Sequence, residues 1–136
     1  MRTLAAGIKR CQLGDIREVS RKVSENGETA KGPLTKSIVN LVLAESSRTT
    51  DGDEVQPGFP TTVNIDEWEG RADEFRAHSR ELALAVLGLD RNSKEDVVKL
   101  IAERGGWSAL KGKPLLVEFA VKNGYSVWKA FNRIPT

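Results

Sequence analysis

Apolar and polar residues alternate most regularly toward the C-terminus. From Pro114 to Val121, Leu115, Val117, Phe119 and Val121 fall on one side and Leu116, Glu118 and Ala120 on the other, the two-residue period of a strand. Asn123-Gly124 follows Lys122 and suits a type I′ turn, whose two central residues both need positive φ. A second strand is therefore expected from Tyr125 to Phe131. A two-residue turn sets Phe119 opposite Trp128, Val117 opposite Ala130 and Glu118 opposite Lys129. Phe119, Trp128, Val117, Val121 and Leu115 then form a core face, and Lys122, Tyr125, Glu118, Lys129 and Phe131 a mixed, solvent-facing one.

Upstream the period lengthens. Trp68, Phe75, Leu82 and Leu89 recur every seven residues beside Ala72, Ser79 and Val86, one apolar stripe of a helix. Asp66 is placed to cap its start, and Gly88 to supply a left-handed end. A second, shorter helix begins at Ser93 with Asp96 approximating a capping box, runs through Val97, Leu100 and Ile101, and stops at Gly105-Gly106. In the N-terminal half, Val39, Leu41 and Leu43 alternate with Ile38, Asn40, Val42 and Ala44 as in a buried strand. Asp51-Gly52 marks a tight turn, and Thr61 to Ile65 reads as the strand returning. Ser24 to Lys36 reads as a polar loop. Gly7 to Val23 carries two patterns: Ile16, Val19 and Val23 have helical spacing, whereas Ile8 to Leu13 looks extended with Gly14 as a possible bulge.

Hydrophobic residues at 39% and charged residues at 29% put the 136-residue chain among ordinary globular domains and away from disordered ones. The longest apolar stretch, Leu82 to Leu87, is too short to span a bilayer, and the N-terminus lacks a signal-peptide core. The lone Cys11 forms no internal disulfide, and one cysteine with one histidine does not make a soft-ligand zinc site, so a reducing cytoplasm is expected and no metal or cofactor. Asp51-Gly52-Asp53-Glu54 lacks the remaining positions of a calcium loop and reads as a hairpin tip. No nucleophile and base pairing, phosphate-cradling glycine loop or paired carboxylates stand out, which argues for a non-enzymatic role.

The net charge of +2 conceals a strong partition. Residues 1–40 carry eight Lys/Arg against four Asp/Glu, residues 41–96 six against thirteen, and residues 97–136 seven against two. A fold that joins the two ends in one sheet would gather a basic surface, as expected where a polyanion docks.

The order of the pieces resembles phage-encoded OB-fold proteins of the single-stranded-DNA-binding type. The residues that carry the likeness are the Leu4-Ala5-Ala6-Gly7 entry, the polar loop with Asn26-Gly27, the Ile38 to Ala44 strand, Leu87-Gly88-Leu89 ending a helical insert, and Leu110-Lys111-Gly112-Lys113-Pro114-Leu115 opening the hairpin. The resemblance implies one OB-like domain over residues 1–136, a five-stranded β-barrel with a helical insert at about 66–105 and a C-terminal hairpin at 114–132. It also makes Ile8 to Val19 the first strand. The chain departs from bacterial single-strand binders in ending Phe131-Asn132-Arg133-Ile134-Pro135-Thr136, without an acidic tail.

Single-strand binding needs cations along the phosphates and aromatic faces for the bases. The candidates are Lys122, Tyr125, Lys129 and Phe131 on the hairpin, and Lys9, Arg10, Arg17, Arg21 and Lys22 on a neighbouring strand and its loop. Each has a plainer reading: Tyr125 and Phe131 as cover for a helix, the cations as solvated charge. Trp107 reads either as a stacking platform or as a plug at the end of the barrel, and His78 as a surface residue. The expected function is sequence-tolerant single-stranded DNA binding in the host cytoplasm. The alternative is a virion structural or assembly protein, such as a decoration or connector protein, whose OB-like barrel contacts subunits of a homo-oligomer or virion.

Overall fold

The computed structural model describes residues 3–20 and 32–135. In chain order its elements are β1 (Gly7–Ser20), β2 (Thr35–Leu43), the short β3 (Ser47–Arg48) and β4 (Glu54–Val55), β5 (Pro60–Glu67), α1 (Ala72–Leu87), α2 (Val97–Glu103), a 3-10 turn (Trp107–Leu110), β6 (Pro114–Lys122) and β7 (Tyr125–Asn132). Arg21, Lys22, Val23 and the Asn26-Gly27 pair lie outside the described residues.

The extended reading of the N-terminal segment holds. β1 is the central strand of an antiparallel sheet ordered β5-β2-β1-β6-β7. Its first half, Gly7 to Gln12, pairs with β6, and from Cys11 to Ser20 it pairs with β2. The ladder slips by one residue between Leu13, opposite Leu41, and Ile16, opposite Val39. Gly14 sits at this bulge, and a Cβ there would lie 2.9 Å from the Asn40 carbonyl oxygen, a backbone atom that cannot step aside. The absent side chain is what lets the two strands cross so closely.

Three strands in sequence with the fourth returning beside the first give the Greek-key order, and β7 adds to β6 through the hairpin. The Asn123-Gly124 turn has φ of 53° and 80°, as a type I′ turn requires. The Asp51-Gly52 turn closes the small β3–β4 hairpin. The sheet does not close into the expected barrel. β5 and β7 approach each other but share no ladder, leaving a seam.

Three local expectations are corrected. Asp66 belongs to β5, whose pairing with β2 runs on to Glu67, so α1 starts later, at Ala72, with Arg71 at its N-cap. Gly88 does end that helix in the left-handed conformation. Asp96 is itself the cap of α2, accepting the Lys99 N–H at 3.2 Å, so that helix begins at Val97 rather than Ser93. In the hairpin, Phe119 faces Trp128, but a second bulge follows, and Val117 then faces Phe131 and Glu118 faces Ala130. Phe131 therefore points into the core, fully buried, while Val121 beside the turn is half-exposed.

The second bulge has an energetic reason. Side chains three apart on a regular strand face opposite sides, yet Trp128 and Phe131 stack with ring centroids 4.4 Å apart. The extra residue brings both to the core side. Burying a Phe contributes roughly 1.5–3 kcal/mol, against about 1 kcal/mol for the ladder bond the bulge sacrifices.

The core lies between the inner face of the sheet and α1. Cys11, Leu13, Val39, Leu41, Val63 and Ile65 supply one side, and Leu82 to Val86, buried without interruption, the other.

Two outcomes test this packing. Gly14→Val is expected to lower unfolding stability by roughly 1–3 kcal/mol in urea titration, because the new atoms meet the β2 backbone. Burial, with the nearby Glu45 charge opposed by Lys9, pushes the Cys11 thiol up from 9.0 to about 12. In the folded chain a thiol reagent at pH 8 is expected to leave it unmodified, and urea to release it. The unfolded chain loses this proton near 9 and the folded chain only near 12. The stability gained from the neutral thiol is therefore intact below 9 and falls as pH rises from there toward 12.

Candidate nucleic-acid interface

Strand alternation sorts the candidate residues into two faces. On β1 before the bulge, Lys9, Cys11 and Leu13 point inward and Ile8, Arg10 and Gln12 outward. The extra residue at the bulge resets the phase, so that Ile16 packs against the core and Arg17 and Val19 point outward. Arg10 and Arg17 are an odd number of positions apart and share the outer face only because of the bulge.

Lys9 is on the opposite side. It is 9% exposed, and its ammonium donates to the Ser47 hydroxyl. Phe131 is in the core, stacked on Trp128, and presents no face to a base. Lys122 and Tyr125 are register partners flanking the hairpin turn on the outer face, and Tyr125 is 62% exposed. Lys129 projects from the β7 bulge and pairs with Glu118 at 3.7 Å. Arg21 and Lys22 fall outside the described residues. Of the nine candidates, the outer face thus brings together Arg10, Arg17, Lys122 and Tyr125.

Register adds residues that sequence pattern alone did not single out. Lys36 on β2 lies beside Val19, and Ile38 beside Arg17. Ile8, 63% exposed, lies beside Glu118. Cross-strand neighbours of this kind become visible only once the pairing of β1 with both β2 and β6 is known.

The carboxylates near this face are partly matched: Asp66 on β5, in register with Lys36, has no ion pair among the described residues and a buried Oδ1 without a hydrogen-bond partner. Glu118 has Lys129, and Asp15 at the β1 bulge has Lys111 at 3.4 Å. Glu45 accepts the Arg10 backbone N–H at 2.8 Å, a contact that leaves the guanidinium free. Among the described residues no ion pair involves Arg10, Arg17, Lys36 or Lys122. The outer face of the sheet therefore carries uncompensated positive charge along β1 and at the hairpin turn.

On the other side of the sheet, α1 runs along the seam. Trp128 donates its indole N–H to the Asn64 carbonyl of β5 at 2.8 Å, and His78 of α1 meets the indole edge-on at 4.9 Å. Glu81 accepts the Phe131 N–H at 2.8 Å and pairs with Arg91. His78 is thus half-buried against Trp128 rather than a plain surface residue. Trp107 is half-buried and packs on the core.

Among the described residues, no group of three or more His, Cys, Asp or Glu side chains is gathered to hold a metal ion, and no helix is long and apolar enough to cross a membrane. No family model matches the chain, and no curated protein matches it in sequence.

Proposed function

We propose that this chain is a non-enzymatic, sequence-tolerant binder of single-stranded nucleic acid, of the phage type, that uses the outer face of an OB-like sheet. The observation that carries the reading is the alignment of Arg10 and Arg17, two cations without ion pairs, on one face of β1 by the Gly14 bulge.

Topology supports it. OB folds are five-stranded, partly open Greek-key barrels that bind oligonucleotides across their second and third strands and the loops joining strands one to two and four to five. Among the five long strands here, β2 and β5 stand second and third, and the helices fall between the third and fourth. The loop joining the last two strands is the Asn123-Gly124 turn with Lys122 and Tyr125 on its shoulders. Phosphates along β1 would meet Arg10 and Arg17, and a base at the turn would stack on Tyr125. Stacking on an aromatic tolerates any base, which is why the reading is sequence-tolerant.

Fluorescence anisotropy of a labelled oligonucleotide, titrated across salt concentrations, tests this. Micromolar or tighter binding is expected at low salt, with log K falling linearly as log salt rises. Arg10→Ala and Arg17→Ala are each expected to reduce that slope by about 0.7, the value for one phosphate contact on a single strand. Tyr125→Ala is expected to cost roughly 1–3 kcal/mol with little dependence on base sequence. Lys129→Ala, already matched by Glu118, should leave the slope nearly unchanged. No micromolar binding at low salt removes the reading.

A further inference from the structure

A cleft lies away from the sheet's outer face, where α1, α2 and the 3-10 turn meet. It holds about 570 Å³, within the range of small-molecule sites. Its walls are mainly apolar, formed by Phe75, Ala83, Val97, Ile101, Ala102 and Trp107, with Val98 exposed at the lip. Beneath it a smaller chamber of about 120 Å³ reaches toward the sheet, walled by Ile16, Ser37, Val39, Ile65 and Leu82. The two spaces share Glu18, Ser79 and Trp107 as common walls.

The charged side chains around the cleft have hydrogen-bond or ion-pair partners, with one exception. Arg80 donates to the carbonyls of Ser93 at 2.7 Å and Glu95 at 2.9 Å. Arg76 is paired with Asp73, and Asp96 caps α2. Glu18, which the second half of β1 turns toward the cleft, has neither an ion pair nor a hydrogen bond to its carboxylate among the described residues. The cleft is thus an apolar slot bordered by two carboxylates, Glu18 and Asp96, and one cation, Arg80, none of them ion-paired among the described residues, with Glu18 exposed on the wall shared with the smaller chamber.

We propose that this cleft binds a small amphiphilic amine, with the apolar body between α1 and α2 and the protonated nitrogen at the Glu18 carboxylate. Burial of the body supplies affinity, and the carboxylate selects the cation over a neutral or anionic analogue of the same shape. Ser79 and Ser37 offer hydroxyl oxygens as further acceptors for the ammonium hydrogens. The site and the nucleic-acid face use different residues, so the two readings stand or fall separately.

Isothermal titration calorimetry with octylamine, octanol and octanoate on the full chain tests the proposal. Saturable binding of octylamine is expected, about tenfold tighter than octanol, with octanoate weakest. Glu18→Gln is expected to bind octylamine and octanol alike, while Ala102→Phe, an exposed position whose larger side chain fills the slot, loses both. Val98→Trp at the lip provides a second blocking variant should Ala102→Phe fold poorly by circular dichroism. The proposal is overturned by absence of saturable octylamine binding, by octanoate binding as tightly, by a preference for the amine that survives Glu18→Gln, or by binding undiminished in a folded blocking variant.

Discussion

The arrangement of this protein depends on one close crossing, the approach of Gly14 on β1 to the Asn40 carbonyl on β2. β1 is shared by two pairings, with β6 over its first half and with β2 over its second. The bulge between Leu13 and Ile16 lies just past the overlap of the two pairings, where it bends the strand and adds twist. The bulge also shifts the side-chain phase by one, so Leu13 and Ile16 both turn inward and Arg10 and Arg17 both turn outward. Curvature of the sheet, continuity of the core and the composition of the outer face therefore share a single cause.

The same physics explains what could and could not be read in advance. Strand alternation in Val39, Leu41 and Leu43, the Asn123-Gly124 turn and the Gly88 helix end are local signals, and each appears in the structure where its residues stand. The bulge at Gly14 left a trace because glycine is the residue such a crossing needs. The bulge after Trp128 left none, since Lys129 has nothing unusual about it. Extending the two-residue period through that point put Phe131 on the wrong face, and with it one expected stacking residue. The burial of Lys9 was illegible for a different reason: its partner Ser47 is remote in sequence and belongs to a two-residue strand without a recognisable pattern.

Helix α1 takes over the work that a barrel's closing ladder would do. Five consecutive buried residues, Leu82 to Val86, exceed what one face of an amphipathic helix offers, so the C-terminal half of α1 is enclosed on several sides. Its polar residues are spent on the seam, Glu81 on the Phe131 N–H and His78 on the edge of Trp128. The indole in turn reaches the Asn64 carbonyl across the gap. One backbone group on each side of the seam, the Phe131 N–H and the Asn64 carbonyl, is thereby engaged from within rather than left open to another strand.

The partition of charge along the chain becomes a partition in space through the same topology. β1 comes from the basic N-terminal third and β6 and β7 from the basic C-terminal third, and their pairing sets these segments side by side. The acidic middle third supplies α1 and the segment leading to α2, where Asp73, Glu81 and Asp90 already have arginine partners. Long-range fields are screened over about 8 Å at physiological salt, so the sign that matters to a ligand is the local one. On the outer face that sign is set by Arg10 and Arg17, which lack carboxylate partners, and in the helical cleft by Glu18 and Asp96 together, against Arg80. Adjacent positions of one strand, Arg17 and Glu18, thus present opposite unmatched charges to opposite sides of the sheet. In the two proposals, this alternation gives a polyanion and a small cation separate places to bind, on opposite sides of the sheet.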